Sequence, residues 1–297
     1  MAYFDMFNYP LSEREIRLFL PGDASGVAIT RPLQQLVLKG RIFYIDKFYS
    51  LHDDPLLAKK RSIGNQRAET DLYAAYRISK FLFKFPFVRG ISISGSLSKG
   101  FADRHSDIDY FIITAQGKLW IARTLLHLFK KLSYLYGAQH RYCMNYFLDE
   151  QALEIEEKNL FTAVETVTLL PMCGNGAQKE FFASNTWVQH YLPNCRFASD
   201  DSYYTGGSLK IKKGIEALFN NRIGDQLDSF FMKITAGRWD KKERKHELNT
   251  KGNRMGIICK KHCCKPNPAY FQVEILRKYH ERISELKSSN IGEYYAD

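Results

Sequence analysis

The feature that most constrains this chain lies at residues 91–113. Ile91, Ser92, Ile93 and Ser94 read as a strand that runs into Gly95-Ser96. A short polar loop follows, and Asp107-Ile108-Asp109 opens a second strand of apolar residues. Strand, turn and strand therefore have to form within one small sheet. Carboxylates at i and i+2 on a strand point to one face, so Asp107 and Asp109 stand together. Magnesium is a hard cation that prefers oxygen ligands, and it commonly sits between one or two carboxylates and a substrate's phosphates. A Gly-Ser turn beside such a pair leaves backbone N–H groups and a hydroxyl to meet those phosphates. The segment is a candidate site for a metal ion and a nucleoside triphosphate.

The composite of Gly95-Ser96, ten intervening residues, Asp107-Ile108-Asp109 and the apolar Tyr110-Phe111-Ile112-Ile113 resembles the DNA polymerase β-type nucleotidyltransferase superfamily. Gly100 and Ser106 also fall where small members of that superfamily often carry Gly and Ser. The resemblance implies a small mixed sheet with flanking helices. It implies that Asp107 and Asp109 are catalytic and hold Mg²⁺ (or Mn²⁺). It implies that Gly95 and Ser96 contact the phosphates of an NTP, with Lys99 or Arg104 adding a cation. A third carboxylate is expected on the next strand, between apolar neighbours. The matching strand, Cys143-Met144-Asn145-Tyr146-Phe147, carries Asn145 at that position. An amide oxygen can coordinate a metal, but it cannot act as a general base. Asp149 shares a strand face with Asn145 but lies roughly 13 Å farther along, at about 3.3 Å per residue.

A chain of 297 residues suggests about two domains on length alone. The net charge of +11 favours polyanionic partners, either nucleic acid or nucleotide phosphates. Part of that excess lies at residues 241–265, read either as a solvated helix end or loop or as a polyanion contact. No apolar run reaches the roughly 18 residues of a membrane helix, so no membrane partner is expected. The N-terminus lacks the basic and apolar regions of a signal peptide. Six scattered cysteines, two of them adjacent at Cys263-Cys264, do not suggest a disulfide framework. A reducing cytoplasmic location is the simpler expectation.

Residues 1–54 read as a winged-helix-like module. Short helices are expected at 3–8 and 13–20, with Ser12 and Glu15 at capping-box positions. A helix at 29–39 ends at Gly40, and a hairpin at 41–51 turns near Asp46-Lys47. Winged helices often place the third helix in the DNA major groove. Here Thr30, Arg31, Gln34, Gln35 and Lys39 would face outward, so DNA is a candidate partner, against the alternative of a packing module.

Residues 55–170 form the expected catalytic domain, of mixed α/β class. It comprises a long basic helix at 55–85, strands at 88–94 and 108–114, a helix at 117–137 and a strand at 142–148. Residues 171–297 are expected to be a C-terminal helical region. Beyond residue 155 the expected helices are 159–169, 178–191, 209–235 and 268–287, with a loop at 193–208. Cys259, His262, Cys263 and Cys264 invite a zinc reading. Zinc sites normally show two spaced ligand pairs, and no second clean pair exists, so free thiols are the simpler expectation. Two readings stay open. One is Mg²⁺-dependent transfer of a nucleoside monophosphate to a hydroxyl on a small molecule such as an aminoglycoside, on RNA or on protein, with Trp187, Tyr191, Tyr203, Tyr204 and Trp239 as the acceptor platform. The other is a nucleic-acid-binding regulator whose nucleotide site is weak or inactive in catalysis.

Overall fold

The computed structural model describes residues 1–24, 28–133, 142–174, 176–197, 210–245, 256–266 and 269–294. The end of the expected 117–137 helix, most of the 193–208 loop with Tyr203 and Tyr204, and the basic residues Lys251 and Arg254 lie outside them. So does the side chain of Asn145.

The N-terminal residues fold as the sequence pattern suggests. Helices α1 (Ala2–Asp5), α2 (Glu13–Leu18) and α3 (Thr30–Leu38) precede the hairpin β1 (Phe43–Ile45) and β2 (Phe48–Ser50). Ser12 starts α2 with a capping box. Its hydroxyl accepts from Glu15 N at 3.3 Å, and its own N–H donates to Glu15 Oε2 at 2.8 Å. These reciprocal bonds satisfy orphan donors of the first turn. On α3 only Leu33 is buried, while Thr30, Arg31, Gln34, Gln35 and Lys39 are exposed. The unit shares one apolar core with later segments. Tyr3, Leu11, Ile16, Leu33 and Tyr49 pack with Ala163, Val164, Val188, Leu192 and Ile275.

Helix α4 (Pro55–Leu82) begins at Asp54, whose carboxylate accepts from Leu56 N at 2.9 Å. Small residues such as Ala58, Gly64, Ala68 and Ala75 form its buried face, which lets the chain approach closely. At Gly64 an added Cβ would meet the Phe101 ring at 2.2 Å, so the loop that carries Phe101 presses directly on the helix. That loop is also bonded there, Ala102 N donating to Gly64 O at 3.1 Å.

Among the described residues, the central sheet has six strands in the order β6 (Leu170–Gly174), β3 (Val88–Ser94), β4 (Asp109–Thr114), β5 (Cys143–Asp149), β8 (Cys263–Pro266) and β7 (Ile257–Lys260). Strands β3, β4 and β5 are linked by the short α5 (Gly95–Ser98) and by α6 (Leu119–Ser133). Strands β3 and β4 are antiparallel, whereas β4 and β5 run parallel across α6. One face buries Ile91, Ile93, Tyr110 and Ile112 against Ala75, Leu82, Trp120 and Leu126 of α4 and α6. The other face buries Phe111, Ile113 and Leu148 against Phe181 and Phe182. The protein is thus of mixed α/β class.

The C-terminal half departs from the helical expectation. After α7 (Leu160–Val167), three sheet strands follow: β6 (Leu170–Gly174), β7 (Ile257–Lys260) and β8 (Cys263–Pro266). Strand β6 carries Pro171 and ends at Gly174, residues that weaken a strand pattern and are tolerated at a sheet edge. Strands β7 and β8 are a four-residue pair with Lys and Cys in place of clean alternation. The expected 178–191 helix divides into α8 (Ala177–Ser184) and a 3₁₀ turn at Thr186–His190. Buried Asn185 takes the break, donating to Phe181 O at 2.7 Å and Leu153 O at 2.9 Å and accepting from Ile155 N at 2.9 Å. The expected 209–235 helix is likewise two, α9 (Lys210–Phe219) and α10 (Arg222–Arg244). Asn221 starts the second by accepting from Ile223 N and Gly224 N, each at 3.0 Å. Helix α11 (Ala269–Tyr294) closes the described chain. Among the described residues, no helix is long and apolar enough to cross a membrane.

Candidate active site

The turn after β3 and the start of β4 are pressed together. Ser94 and Asp109 are register partners in the β3–β4 pair. Gly95 has φ +70°, a conformation that L side chains rarely adopt, and an added Cβ would stand 2.7 Å from Asp109 Oδ2. The Asp109 carboxylate therefore lies directly on the Gly95 backbone. Buried Ile108 separates it from Asp107, and both aspartates are half-buried. The strand opens at Asp109, with Asp107 two residues before it.

Two cavities meet at Asp109. They share Gly95, Asp109, Phe161 and Glu165. The first, of about 430 Å³, reaches Ser96, Lys99 and Lys60 and is walled by aromatic residues of the N-terminal unit and by Phe101. The second, of about 350 Å³, lies over β4 and β5 beneath α7, walled by Phe111, Tyr146, Ile155 and Leu169. Asp107 is in neither lining.

Lys99 sits in the first cavity, already engaged. Its Nζ donates to Gly95 O at 3.0 Å and to Glu165 Oε1 at 2.8 Å. Tyr9 reaches in from the N-terminal unit and donates its hydroxyl to Lys99 O. Burial raises the Tyr9 phenol well above its usual range, so it keeps its proton to donate. Ser96, Arg104 and His105 are exposed. The loop that carries the last two is closed by Asp103 Oδ1, which accepts from His105 N at 2.8 Å and Ser106 Oγ at 3.0 Å.

The third position is altered by a register slip. Tyr110 faces Met144, but Phe111 faces Tyr146, so Asn145 is the extra residue of a bulge. Tyr146 stands beside Phe111, with ring centroids 4.8 Å apart. Asp149 is at the far end of β5, in register with Thr114. Its buried carboxylate accepts from Gly117 N at 3.0 Å and Gln151 N at 2.9 Å and contacts His262 Nδ1 at 2.7 Å. Asp149 thus organises the opposite end of the sheet and does not reach Asp109.

Glu165 is the carboxylate that sequence reasoning missed. Its helix was legible, but nothing in the spacing said which side of that helix would meet β4. The expected acceptor platform lies elsewhere. Trp187 and Tyr191 pack in the N-terminal core, and Trp239 lies on α10 with Lys242 Nζ 5.0 Å from its ring centroid. Cys259 and Cys264 are register partners whose side chains hydrogen-bond across β7–β8. Among the described residues, no group of three or more His, Cys, Asp or Glu side chains is arranged to hold a metal ion. Comparisons with protein-family models, with curated proteins and with solved structures give no match.

Proposed function

We propose that the protein is a nucleotidyltransferase that moves a nucleoside monophosphate from an NTP to an acceptor hydroxyl. The observation that carries this reading is the contact of Asp109 with the positive-φ Gly95 turn at the junction of two cavities. One cavity brings Lys60, Lys99 and the turn backbone, which a triphosphate can use, among aromatic walls, and the other is proposed for the acceptor.

The donor set fits a divalent cation of the magnesium type. Asp107 and Asp109 offer hard oxygen ligands, and two protein carboxylates suffice when substrate phosphates complete the shell. When bound, Mg²⁺ (or Mn²⁺) would neutralise charge developing on the triphosphate. The chain's own residues supply the rest. Gly95 leaves room for the phosphates where a side chain would block them. Lys99 exchanges its contact with Glu165 for a phosphate oxygen. Glu165, released, takes the proton of the acceptor hydroxyl. The acceptor oxygen bonds to the α-phosphorus, the bond from that phosphorus to the β-bridging oxygen breaks, and pyrophosphate leaves. Glu165 thereby supplies the basic function that an amide at Asn145 lacks.

The test is a thermal-shift series with each NTP, with and without Mg²⁺ or Mn²⁺, on wild type and on Asp107→Ala/Asp109→Ala. A ligand held only by the folded state at 100 times its Kd adds about 2.7 kcal/mol. A metal-dependent rise that vanishes in the double variant supports the reading. No rise with any nucleotide sinks it.

The exposed polar row of α3 favours a second reading, a nucleic-acid-binding regulator with a nucleotide-sensing domain. Salt-sensitive DNA binding that is lost in Arg31→Ala/Lys39→Ala and unchanged in Asp107→Ala would support it. DNA binding that is absent at low salt would remove it.

A further inference from the structure

We infer that the second cavity is the acceptor chamber and that it takes an uncharged, apolar or aromatic compound bearing a hydroxyl. This deepens the transferase reading and rests on it.

Position is the first argument. The chamber and the first cavity share lining residues, and these include both Asp109 and Glu165. A hydroxyl at that junction sits against the carboxylate pair, while the body of its molecule extends over β4 and β5.

Wall chemistry is the second. Phe111, Tyr146, Ile155, Phe161 and Leu169 form an apolar surface. Of the polar side chains in this lining, those of Ser94, Thr162, Thr166 and Lys265 are already bonded within the protein. Thr166 Oγ1 donates to Thr162 O at 2.7 Å, and Thr162 Oγ1 donates to the backbone of Glu157 and Asn159. Lys265 is buried, with its ammonium on Glu157 and 5.5 Å from the Tyr146 ring centroid. Buried polar groups that are mutually satisfied ask nothing of a ligand, so the chamber gains most from burying apolar surface.

Charge is the third. A polycationic amino sugar needs several carboxylates, and the chamber has only Asp109 and Glu165, the latter paired with Lys99. A nucleic-acid end needs a row of cations for its phosphates, and the one lysine in this lining is neutralised by Glu157. The volume of about 350 Å³ matches a small molecule.

Binding of 2-naphthylmethanol and of kanamycin to the full-length protein, followed by ligand-observed NMR, tests this. Two variants alter the chamber: Gln272→Trp fills it from α11, and Phe161→Ala widens it. Melting temperatures establish that each is folded. The expected result is saturable binding of the aromatic alcohol to wild type, at least tenfold weaker in Gln272→Trp, with no binding of kanamycin. Should Gln272→Trp fail to fold, Phe161→Ala must still change the affinity at least threefold. Equal affinity in wild type and the folded variants, failure of the alcohol to bind, or kanamycin binding that Gln272→Trp abolishes would each overturn the inference. The nucleotide–metal thermal shift is recorded on the same samples. Nucleotide response without alcohol binding refutes the chamber alone, whereas alcohol binding without nucleotide response refutes the transferase reading and the acceptor role with it.

Discussion

Lys99 Nζ bridges Glu165 Oε1 at 2.8 Å and Gly95 O at 3.0 Å, tying α7 to the turn that precedes the Asp pair. In the proposed reaction, the carboxylate that takes the acceptor proton is held by the cation that meets a phosphate. Glu165→Gln keeps the shape and removes the base. Turnover is expected to fall by about 10²–10⁴-fold, the usual range for a lost general base, while the NTP–metal thermal shift persists. An equal loss of the thermal shift would assign Glu165 to nucleotide binding instead.

Gly95→Ala addresses the same turn from the backbone. At φ +70° a Cβ costs about 1–2 kcal/mol, and here it also meets Asp109 Oδ2 at 2.7 Å. The expected outcome is a modest fall in melting temperature and complete loss of metal-dependent nucleotide response. A variant that still responds to NTP and Mg²⁺ would show that Asp109 need not lie on this turn.

Arg61 joins the N-terminal unit to α4. It bonds Glu15 Oε1 at 2.7 Å, Pro10 O at 3.1 Å and Asn65 Oδ1 at 2.7 Å, and its guanidinium lies 3.7 Å from the Tyr9 ring centroid. Arg61→Met leaves these acceptors without their partner. Urea unfolding should show a loss of roughly 2–4 kcal/mol. Because Tyr9 walls the cavity proposed for the triphosphate, nucleotide affinity should fall with it. Unchanged stability would mean that the N-terminal unit is held by its apolar core alone.

Asp228 gives the fold a specific pH dependence. It lies beneath the start of α6, accepting from Trp120 N at 2.8 Å and Ile121 N at 2.9 Å. Burial pushes its carboxyl from the ordinary 3.8 up to about 6. Between those values the folded state holds a proton that the unfolded state releases, so this contribution to stability falls as pH rises through the window. Its full span is roughly 3 kcal/mol. Wild type should gain relative to Asp228→Asn when urea unfolding is moved from pH 7 to pH 4.5. A difference that stays constant with pH would refute the shift.

Several elements were legible because their signals are local. Ser12 and Glu15 mark the start of α2, and Gly95-Ser96 and the Asp pair mark the β3–β4 turn. Strand β3 runs over Val88–Ser94 as the apolar alternation suggests. The breaks at Asn185 and Asn221 were less legible, because an asparagine ends or starts a helix only when its amide finds particular backbone partners. The strands β6, β7 and β8 were less legible because each is short, and β6 and β8 join the sheet across long stretches of chain. Their residues become strand by extending on both sides the sheet that β3, β4 and β5 begin.

The sequence by itself determined the chemistry available at the turn: a glycine, a serine and two carboxylates two residues apart. Covalent order and short-range sterics suffice for that. The tertiary structure alone decided that Glu165, and not Asp149, shares the site with Asp109. It also decided that the aromatic lining comes from Phe111, Tyr146 and Phe161 and not from Trp187 or Trp239. The physical reason is that a side chain's neighbours across a fold depend on register and packing. One extra residue at Asn145 changed which side chain stands beside Phe111, and packing of the shared N-terminal core set which face of α7 looks onto the sheet.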